Sequence, residues 1–246
     1  MRPFEAANEH RVQPGLFIVA RLDGRGFTKL TKGELALERP YDLRFFNWMV
    51  ATSEHLMRTG LKVAYGYTQS DEVSLLLHPQ DDSFSRRVEK LVSVLAGEAS
   101  ACFAGLVGRP AAFDCRLSTP TRVEDVVEYF RWRAEDAARN ALNSHCYWML
   151  RDDGLSARTA TSKLAGLTTP EKHELLFAHG TNYNDLPAWM KRGAGLWWER
   201  RPHSGLNPLT GARVQTTRLR LQVERDLPKS DEYSGLIRAL LGGLSS

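Results

Sequence analysis

Cysteine is scarce in this chain of 246 residues, and the three that occur, Cys102, Cys115 and Cys146, lie far apart. Their number and spacing exclude a fully paired disulfide framework and every Cys-x-x-Cys zinc or redox motif. The simplest interpretation is three reduced thiols in a protein core.

Long apolar runs are also missing. The longest reach about half a dozen residues, as around residues 16–20, whereas a helix needs roughly 20 to cross a bilayer. The first residues of the sequence include charged side chains and no apolar segment of the kind found in a secretion signal. We therefore expect no membrane span and a cytoplasmic protein.

Neither sign of charge dominates the chain. The 33 Lys and Arg residues and 29 Asp and Glu residues leave a net charge of +4. Charged residues make up 25% of the chain and hydrophobic residues 42%, proportions that are typical of globular proteins and exclude disorder as the main state.

The positive excess is concentrated near the end of the chain. Residues 186–246 hold 10 basic and 5 acidic residues, whereas residues 1–120 hold 15 and 14. Three tryptophans lie among those basic residues, Trp189, Trp197 and Trp198. Cations and flat aromatic rings suit a nucleic-acid surface; the alternative is a solvated strand face with the tryptophans in the core.

The first half of the chain predicts a regular order of elements. Apolar, β-branched runs predict strands at residues 16–22, 61–67, 73–77 and 111–117. Helical periodicity predicts one helix between Pro40 and Gly60 and another that begins with Ser83 as its cap. The order β-α-β-β-α-β is that of the ferredoxin-like fold, with the strands in the order 4-1-3-2. We therefore predict an α+β protein.

The second half is less regular. It predicts a long helix at 123–150, shorter helices within 156–178, strands at 194–200 and 212–224, and a terminal helix near 231–241. We expect residues 1–150 to form a catalytic domain with its long following helix. Residues 151–246 would form a basic helical and β extension packed on it, within the same globular unit.

Two acidic turns carry the candidate chemistry. Asp23 follows the first predicted strand, and Asp71 lies in the hairpin that joins the second and third. Each turn alone is ordinary, since Asp and Gly are common turn residues. The predicted sheet, however, makes the first strand a neighbour of the third, so that Asp23 and Asp71 meet at one corner.

A pair of carboxylates at that corner predicts a metal site. Two like charges at close range call for a cation, and hard oxygen ligands suit Mg²⁺. Two-metal phosphoryl transfer needs such a pair of acidic residues. Glu72 follows Asp71 and points to the opposite side if the strand has begun, so it ranks below the two aspartates as a ligand.

Seven motifs then occur in an order that resembles the tRNA(His) guanylyltransferase family, from about residue 15 to residue 200. They are Arg21-Leu-Asp-Gly-Arg with Phe27, Tyr65-Gly66, Gln69-Ser70-Asp71-Glu72, Phe113-Asp114 with Arg116, Tyr129-Phe130-x-Trp132-Arg133-x-x-Asp136, Glu174-Leu175-Leu176-Phe177, and Asn182-Tyr183-Asn184 before Leu186-Pro187.

The resemblance implies a polymerase-like palm that adds nucleotides to the 5′ end of tRNA in the 3′-to-5′ direction. It implies GTP and ATP as substrates, two Mg²⁺ ions and a homotetramer. Asp23, the carbonyl of Gly24 and Asp71 would hold the metal, and Asp23, Asp71 and Glu72 would form the catalytic group. The nucleotide would contact Asp23, Gly24, Arg25, Gly26, Phe27, Thr28, Arg39, Asp42, Ser70 and Asp71.

The tRNA is expected to contact basic residues in two parts of the chain. Guanidinium and ammonium groups suit phosphate, and a surface ion network is the alternative for each of them. The candidates are Arg86, Arg87, Lys90 and Arg116 near the site, and Lys191, Arg192, Arg218 and Arg220 in the basic segment.

The long helix departs from the eukaryotic pattern of the family. Where those enzymes carry His-Ile-Asn-Asn-Leu-Tyr-Asn, this chain has Ala138-Arg139-Asn140-Ala141-Leu142-Asn143-Ser144. The chain is thus similar to the guanylyltransferase-like branch, which is associated with templated repair of 5′-truncated tRNAs. His145 falls outside the aligned histidine, and we interpret it as a helix-face residue.

Two other functions fit the residues. A palm-type nucleotidyl cyclase would use the same acidic pair, although the basic last quarter favours a polynucleotide substrate. A non-catalytic RNA-binding module would rely on the basic, tryptophan-bearing segment alone, with the acidic turns as structural features.

Overall fold

The protein is described by a computed structural model that covers residues 9–206 and 211–244. Its first part contains these elements: β1 (Ile18–Gly24), α1 (Phe27–Lys29, continued by a π-helical turn at Leu30–Glu34), α2 (Leu43–Leu56), β2 (Val63–Gln69), β3 (Glu72–Leu77), α3 (Val88–Val107) and β4 (Phe113–Ser118). The second part contains α4 (Val123–Asp152), α5 (Ala157–Leu164), α6 (Thr169–Ala178), α7 (Ala188–Arg192), β5 (Ala194–Leu206), β6 (Arg213–Glu224) and α8 (Ser230–Gly242).

The strands form one antiparallel sheet in the order β4-β1-β3-β2-β5-β6. The predicted order 4-1-3-2 is confirmed for the first four strands, and the α+β class with it. The predicted strands and helices differ from the observed ones by a few residues at their ends. The sheet continues into the second half of the chain, because β5 pairs with β2 from Ala194 to Trp197.

Helices cover both faces of the sheet. On one face α2 and α3 pack through a core that includes Met49, Leu95 and Phe103. On the other face α4 and α8 pack through a second core that includes Phe130 and Ile237. The period-2 alternation of the strands supplies both cores, since successive side chains of a strand point to opposite faces.

The start of α3 differs from the prediction. Ser83 does not cap the helix; its hydroxyl donates to the Asp81 carboxylate at 2.9 Å, within a 3₁₀ turn at Ser83–Arg86. The backbone has positive φ at Phe84, Ser85 and Arg86, so α3 begins only at Val88. The apolar periodicity of the sequence gave no sign of this kink.

Helix α3 is the one helix of the described ranges long and apolar enough to span a membrane by length and composition, with a mean hydropathy of 1.5. The sequence analysis did not predict this property, because it considered only uninterrupted apolar runs, which are short. Core helices of globular proteins meet the same criterion, and α3 packs its stripe Leu91, Leu95, Ala99 and Phe103 against the sheet.

Beyond the sheet, β5 and β6 continue as a two-stranded arm, residues 198–206 and 213–221. Within the described part of the chain, these residues pair in the sheet with each other alone, and most of their side chains are exposed. At about 3.3 Å per residue the arm reaches roughly 30 Å.

Candidate active site

The two predicted acidic turns meet at one corner of the sheet. The amide of Gly24 donates to the carbonyl of Asp71 at 3.0 Å, and Asp23 is paired in register with Glu72 on β3 and with Asp114 on β4. The carboxylates of Asp23 and Asp71 therefore belong to one site, although the sequence separates them widely.

Asp71 sits in a strained turn. Ser70 has φ of 52°, a left-handed conformation that is uncommon outside glycine, and its hydroxyl donates to the Asp71 carboxylate at 3.1 Å. Burial raises the pKa of Asp71, and the nearby negative charge of Asp23 raises it further. An added cation would relieve this electrostatic cost.

The corner fits Mg²⁺ by the chemistry of its oxygen donors. The donors are the two carboxylates, Asp23 and Asp71, which line one cavity; the family resemblance adds the carbonyl of Gly24. Within residues 9–206 and 211–244, no group of three or more His, Cys, Asp or Glu side chains is placed to hold a metal. Water and phosphate oxygens would therefore complete the coordination, which is how Mg²⁺ is usually bound in phosphoryl-transfer enzymes.

The turn after β1 is shaped by Phe27. A Cβ at Gly24 would lie 2.6 Å from the Phe27 ring, so this position requires glycine. Phe27 itself is buried and contacts the rings of Phe103 and Phe113. Although buried, it also lines the first of two cavities at this corner, while Arg25, Gly26 and Thr28 are exposed.

The carboxylate of Glu72 is paired with an arginine side chain. Its two carboxylate oxygens accept from Arg133 Nε and Nη2, each at 2.7 Å, and Arg21 lies 3.9 Å away. The guanidinium groups compensate a carboxylate whose pKa is raised by burial. This bidentate ion pair argues against the predicted catalytic role of Glu72. It instead joins β3 to α4 at the site.

Two cavities adjoin the corner. The first, of about 350 Å³, is named here the aromatic cavity because it is walled by Phe27, Phe45, Phe46, Trp148 and Trp189. The second, of about 250 Å³, is named the polar cavity and contains Asp23, Asp71, Glu72, Arg133, Asp136 and Asn140. Tyr41, Gln69, Ser70, Asp71 and Ser144 line both.

Arg39 and Asp42, the two predicted nucleotide-binding residues outside the acidic turns, both line the aromatic cavity. The Arg39 guanidinium lies over the Trp148 ring, 4.2 Å from its centroid. Asp42 caps α2 by accepting from the Arg44 amide at 2.7 Å, and it also accepts from the Glu38 amide at 2.9 Å. The Arg44 side chain beside it lowers the pKa of Asp42 to about 2. Asp42 is thus chiefly a structural residue of the cavity wall.

Three of the predicted tRNA contacts are not available for that role. Arg86 is buried and donates to the carbonyls of Val12, Asp81 and Leu16.

The other two, Lys191 and Arg192, also bind backbone carbonyl groups. Burial lowers the pKa of Lys191. Lys191 donates to the carbonyls of Tyr183 and Asn184, and Arg192 donates to that of Leu227 at 2.8 Å and to Asp226. The basic pattern of the sequence did not distinguish these structural cations from exposed ones.

The remaining predicted contacts lie at the surface. Lys90 and Arg116 are exposed, and Arg87 is partly exposed. Arg218 and Arg220 are exposed on the arm, where Arg218 is paired in register with Arg201 of the other strand. Arg201 is paired with Glu199 at 2.8 Å, and Arg220 lies opposite Glu199 in the same register, so part of the positive charge of the arm is compensated within it.

His145 is more enclosed than predicted. Its ring lies 5.6 Å from that of Tyr41 and 5.8 Å from that of Tyr183, and its buried Nε2 has no hydrogen-bond partner among the described residues. Burial lowers its pKa to about 4, with a smaller effect of Lys191.

The sequence analysis did not assign any residue of α4 to the site. Arg133, Asp136 and Asn140 project into the polar cavity together with Tyr67 of β2. Their spacing of three and four positions on one helix face was the available signal. Only the tertiary structure shows that this face lies against the acidic corner.

Comparison with known proteins gives a consistent result. The family profile described as tRNAHis guanylyltransferase matches residues 1–121, and that described as Thg1 C terminal domain matches residues 124–232. The tRNA(His) guanylyltransferase of Schizosaccharomyces pombe is 33% identical over 203 residues, 78% of this chain and 76% of that protein. That of Debaryomyces hansenii is 29% identical over 232 residues, 88% of this chain and 87% of that protein.

Solved structures agree in fold. The crystal structure of tRNA(His) guanylyltransferase from Saccharomyces cerevisiae has a TM-score of 0.73 at 26% identity, and the match covers 79% of this chain and 90% of that one. A bacterial Thg1-like protein in complex with GTP has a TM-score of 0.71 at 23% identity, covering 98% and 96%. The same kind of bacterial protein in complex with ATP has a TM-score of 0.73 at 24% identity, covering 98% and 97%.

Proposed function

The chain belongs to the tRNA(His) guanylyltransferase family, and we propose that it is a nucleotidyltransferase that adds nucleotides to the 5′ end of tRNA. The observation that carries this proposal is the hydrogen bond from Gly24 to Asp71. It places Asp23 and Asp71 together beside two contiguous cavities of combined nucleotide size.

The proposed reaction has two phosphoryl transfers. The 5′-monophosphate of the RNA attacks the α-phosphorus of a nucleoside triphosphate and releases pyrophosphate. The 3′-hydroxyl of an incoming nucleotide then attacks the activated 5′ end and displaces the nucleoside monophosphate. Neither step needs a protein nucleophile, because positioning and electrostatics supply most of the catalysis.

The residues of the corner take distinct roles in this proposal. Asp23, Asp71 and the Gly24 carbonyl would hold Mg²⁺, which when bound stabilises the attacking and leaving oxygens. The turn from Arg25 to Thr28 is exposed except at Phe27, and its glycine allows a phosphate to approach the backbone closely. Arg133 fixes Glu72 and so holds the face of α4 against the site.

The aromatic cavity is the proposed site of the nucleobase. Its volume of about 350 Å³ lies at the lower end of the range for small-molecule sites. The bacterial relatives are described in complex with GTP and with ATP, and we propose both nucleotides as substrates here. Ala138, which stands in place of the histidine of the eukaryotic pattern, favours repair of truncated 5′ ends over a strict single guanylate addition.

The proposed path of the tRNA runs from the corner to the arm. Lys90, Arg87 and Arg116 lie on the exposed surface of the first half, and the arm presents Arg218 and Arg220. Exposed arginines of this kind suit RNA phosphate. A homotetramer, as the family resemblance implies, is part of the proposal and is testable by sedimentation.

The direct experiment incubates the protein with Mg²⁺, labelled nucleoside triphosphate and a tRNA that lacks its first 5′ residue. Extension by the nucleotide complementary to the template base supports 5′-end repair, and addition of guanylate alone supports strict guanylyl transfer. A cyclic nucleotide formed without RNA would replace the proposal by a cyclase. RNA binding that is independent of Mg²⁺ and of Asp23, with no label incorporated, would leave only a binding module.

A further inference from the structure

Trp132 is a large aromatic side chain that stays open to solvent. It lies on α4 and is 46% exposed, although tryptophan is highly buried on average in globular proteins. It lines neither the aromatic cavity nor the polar cavity. The proposed binding of the nucleoside triphosphate therefore gives this residue no role.

Two side chains hold the indole in place. The Arg133 guanidinium lies over its ring, with Cζ 4.8 Å from the ring centroid, and the Tyr129 ring meets it edge to face at a centroid distance of 6.2 Å. The hydroxyls of Tyr129 and Ser74 are hydrogen-bonded at 3.1 Å, and Arg133 is bound to Glu72. Both supports of Trp132 are thus attached to β3.

This attachment fixes the indole relative to the acidic corner. Strand β3 begins at Glu72, directly after Asp71, and Glu72 is paired in register with Asp23. Two residues, Glu72 and Arg133, therefore connect Asp23 to the indole. Trp132 lies close to the place where the 5′ end of the RNA would react, but it lines neither of the cavities proposed for the triphosphate.

The charged side chains beside the indole compensate one another. Arg131 is paired with Glu135 at 2.9 Å, and Arg139 is paired with Asp136 at 3.1 Å. The aromatic ring is then the feature that this part of α4 offers to a ligand. Because Arg133 holds the ring while nearly half of the residue is exposed, the indole can stack with another flat ring at little cost in conformational freedom.

An RNA base is the flat ring that fits this place. Unpaired bases in RNA complexes stack on aromatic side chains and on guanidinium planes, and the stacking tolerates any sequence because every base has a π-face. A tRNA that lacks its first 5′ residue has an unpaired template base opposite the gap. Its new 5′-terminal base has also lost the stacking neighbour on one side.

We infer that Trp132 is a stacking platform for an RNA base next to the reacting 5′ end, and that it positions this end at Asp23 and Asp71. This inference rests on the proposed function and deepens it. The stacked base is either the 5′-terminal base or the unpaired template base, and the chemistry recognised is the same in both. Trp132 is a positioning residue, since it does not touch the reacting atoms.

The experiment places the fluorescent base 2-aminopurine at one of these two positions in a tRNA that lacks its first 5′ residue. The fluorescence of 2-aminopurine falls when the base stacks on an aromatic ring. With one of the two RNAs, the bound complex is expected to fluoresce more strongly in Trp132→Leu than in the wild type, and the position that responds identifies the base. Affinity for the RNA, measured by anisotropy, should fall by roughly fivefold or more.

Two further variants separate stacking from a general loss of apolar surface. Trp132→Phe keeps an aromatic ring and should retain most of the quenching and of the affinity. Phe177→Leu is the matched control, since Phe177 is 66% exposed on α6 and lines neither cavity, and it should behave like the wild type. In transfer assays Trp132→Leu should raise KM for the tRNA and leave KM for the nucleoside triphosphate unchanged.

Binding without Mg²⁺ or nucleoside triphosphate separates this inference from the proposed function, because it requires no transfer. Quenching that depends on Trp132 supports the platform even if no nucleotide is ever added. Unchanged fluorescence at both positions in Trp132→Leu overturns the platform, with or without a loss of affinity and even if nucleotide is transferred. Equal effects of Phe177→Leu overturn it as well.

Discussion

The backbone amide of Gly24 donates a hydrogen bond of 3.0 Å to the carbonyl of Asp71, and this bond joins two turns that are remote in the sequence. It fixes the Asp23 and Asp71 carboxylates at one corner of the sheet. Because burial and the charge of Asp23 raise the pKa of Asp71, the corner is electrostatically costly until a cation enters.

Mg²⁺ is expected to stabilise the wild-type protein measurably. At ten times its dissociation constant it should raise the free energy of unfolding by about 1.4 kcal/mol, or Tm by about 3–5 °C. Thermal unfolding with and without MgCl₂, at constant ionic strength, measures the effect.

The variant Asp71→Asn supplies the control. It removes the buried charge, so its stability without Mg²⁺ should be no lower than that of the wild type. The sign follows from the raised pKa of Asp71: its contribution is favourable at low pH and is lost as the pH rises through the folded-state pKa. A Mg²⁺-dependent rise of the same size in this variant would contradict the assignment of the metal site.

Much of this corner could be predicted from the sequence, because the hairpin and the β-α-β-β-α-β order fix which strands are neighbours. The contribution of α4 could not, since the periodicity of a helix defines its apolar face but not what its polar face meets. Arg133 reaches Glu72 only because α4 crosses the sheet beside β3.

Arg86 is expected to act in folding and not in RNA binding. Replacement by methionine leaves three carbonyls without their donor, and should cost about 3 kcal/mol of stability. Urea unfolding measures this loss. Lys90→Met, at an exposed position, should change stability by less than about 0.5 kcal/mol and weaken tRNA binding instead. Equal loss of tRNA affinity in the folded fraction of both variants would show that Arg86 contacts RNA.

The arm is expected to contribute affinity that depends on salt. Reversal of charge in Arg218→Glu with Arg220→Glu removes two candidate phosphate contacts. The slope of log K against log salt should then become shallower by roughly 1.5–2, as measured by fluorescence anisotropy with tRNA. Affinity for nucleoside triphosphate should stay the same, and an unchanged slope would place the RNA elsewhere.

His145 is expected to make stability depend on pH. Its folded-state pKa of about 4 lies below the ordinary 6.5, so its contribution is fully present above pH 6.5 and is lost as the pH falls towards 4. The loss should be about 1–2 kcal/mol after allowance for partial exposure of the ring. His145→Gln should remove that part of the slope in urea unfolding between pH 4 and 6.5, and an unchanged slope would mean that the ring titrates normally.

Basic residues show the limit of sequence patterns most clearly. Lys191, Arg192 and Arg218 look alike in the sequence, yet the first two bind carbonyl groups and Asp226 within the protein, whereas the third is exposed on the arm. The difference depends on which unpaired carbonyls lie nearby after folding, and no local pattern encodes that.

The central claim is that Asp23 and Asp71 together support nucleotide transfer to RNA. The most direct measurement is incorporation of labelled nucleotide into a 5′-truncated tRNA by the wild type, Asp23→Asn and Asp71→Asn, with folding checked by circular dichroism. Incorporation by the wild type and a loss of at least roughly a thousandfold in both folded variants is the predicted result. Wild-type rates in either variant would contradict the account.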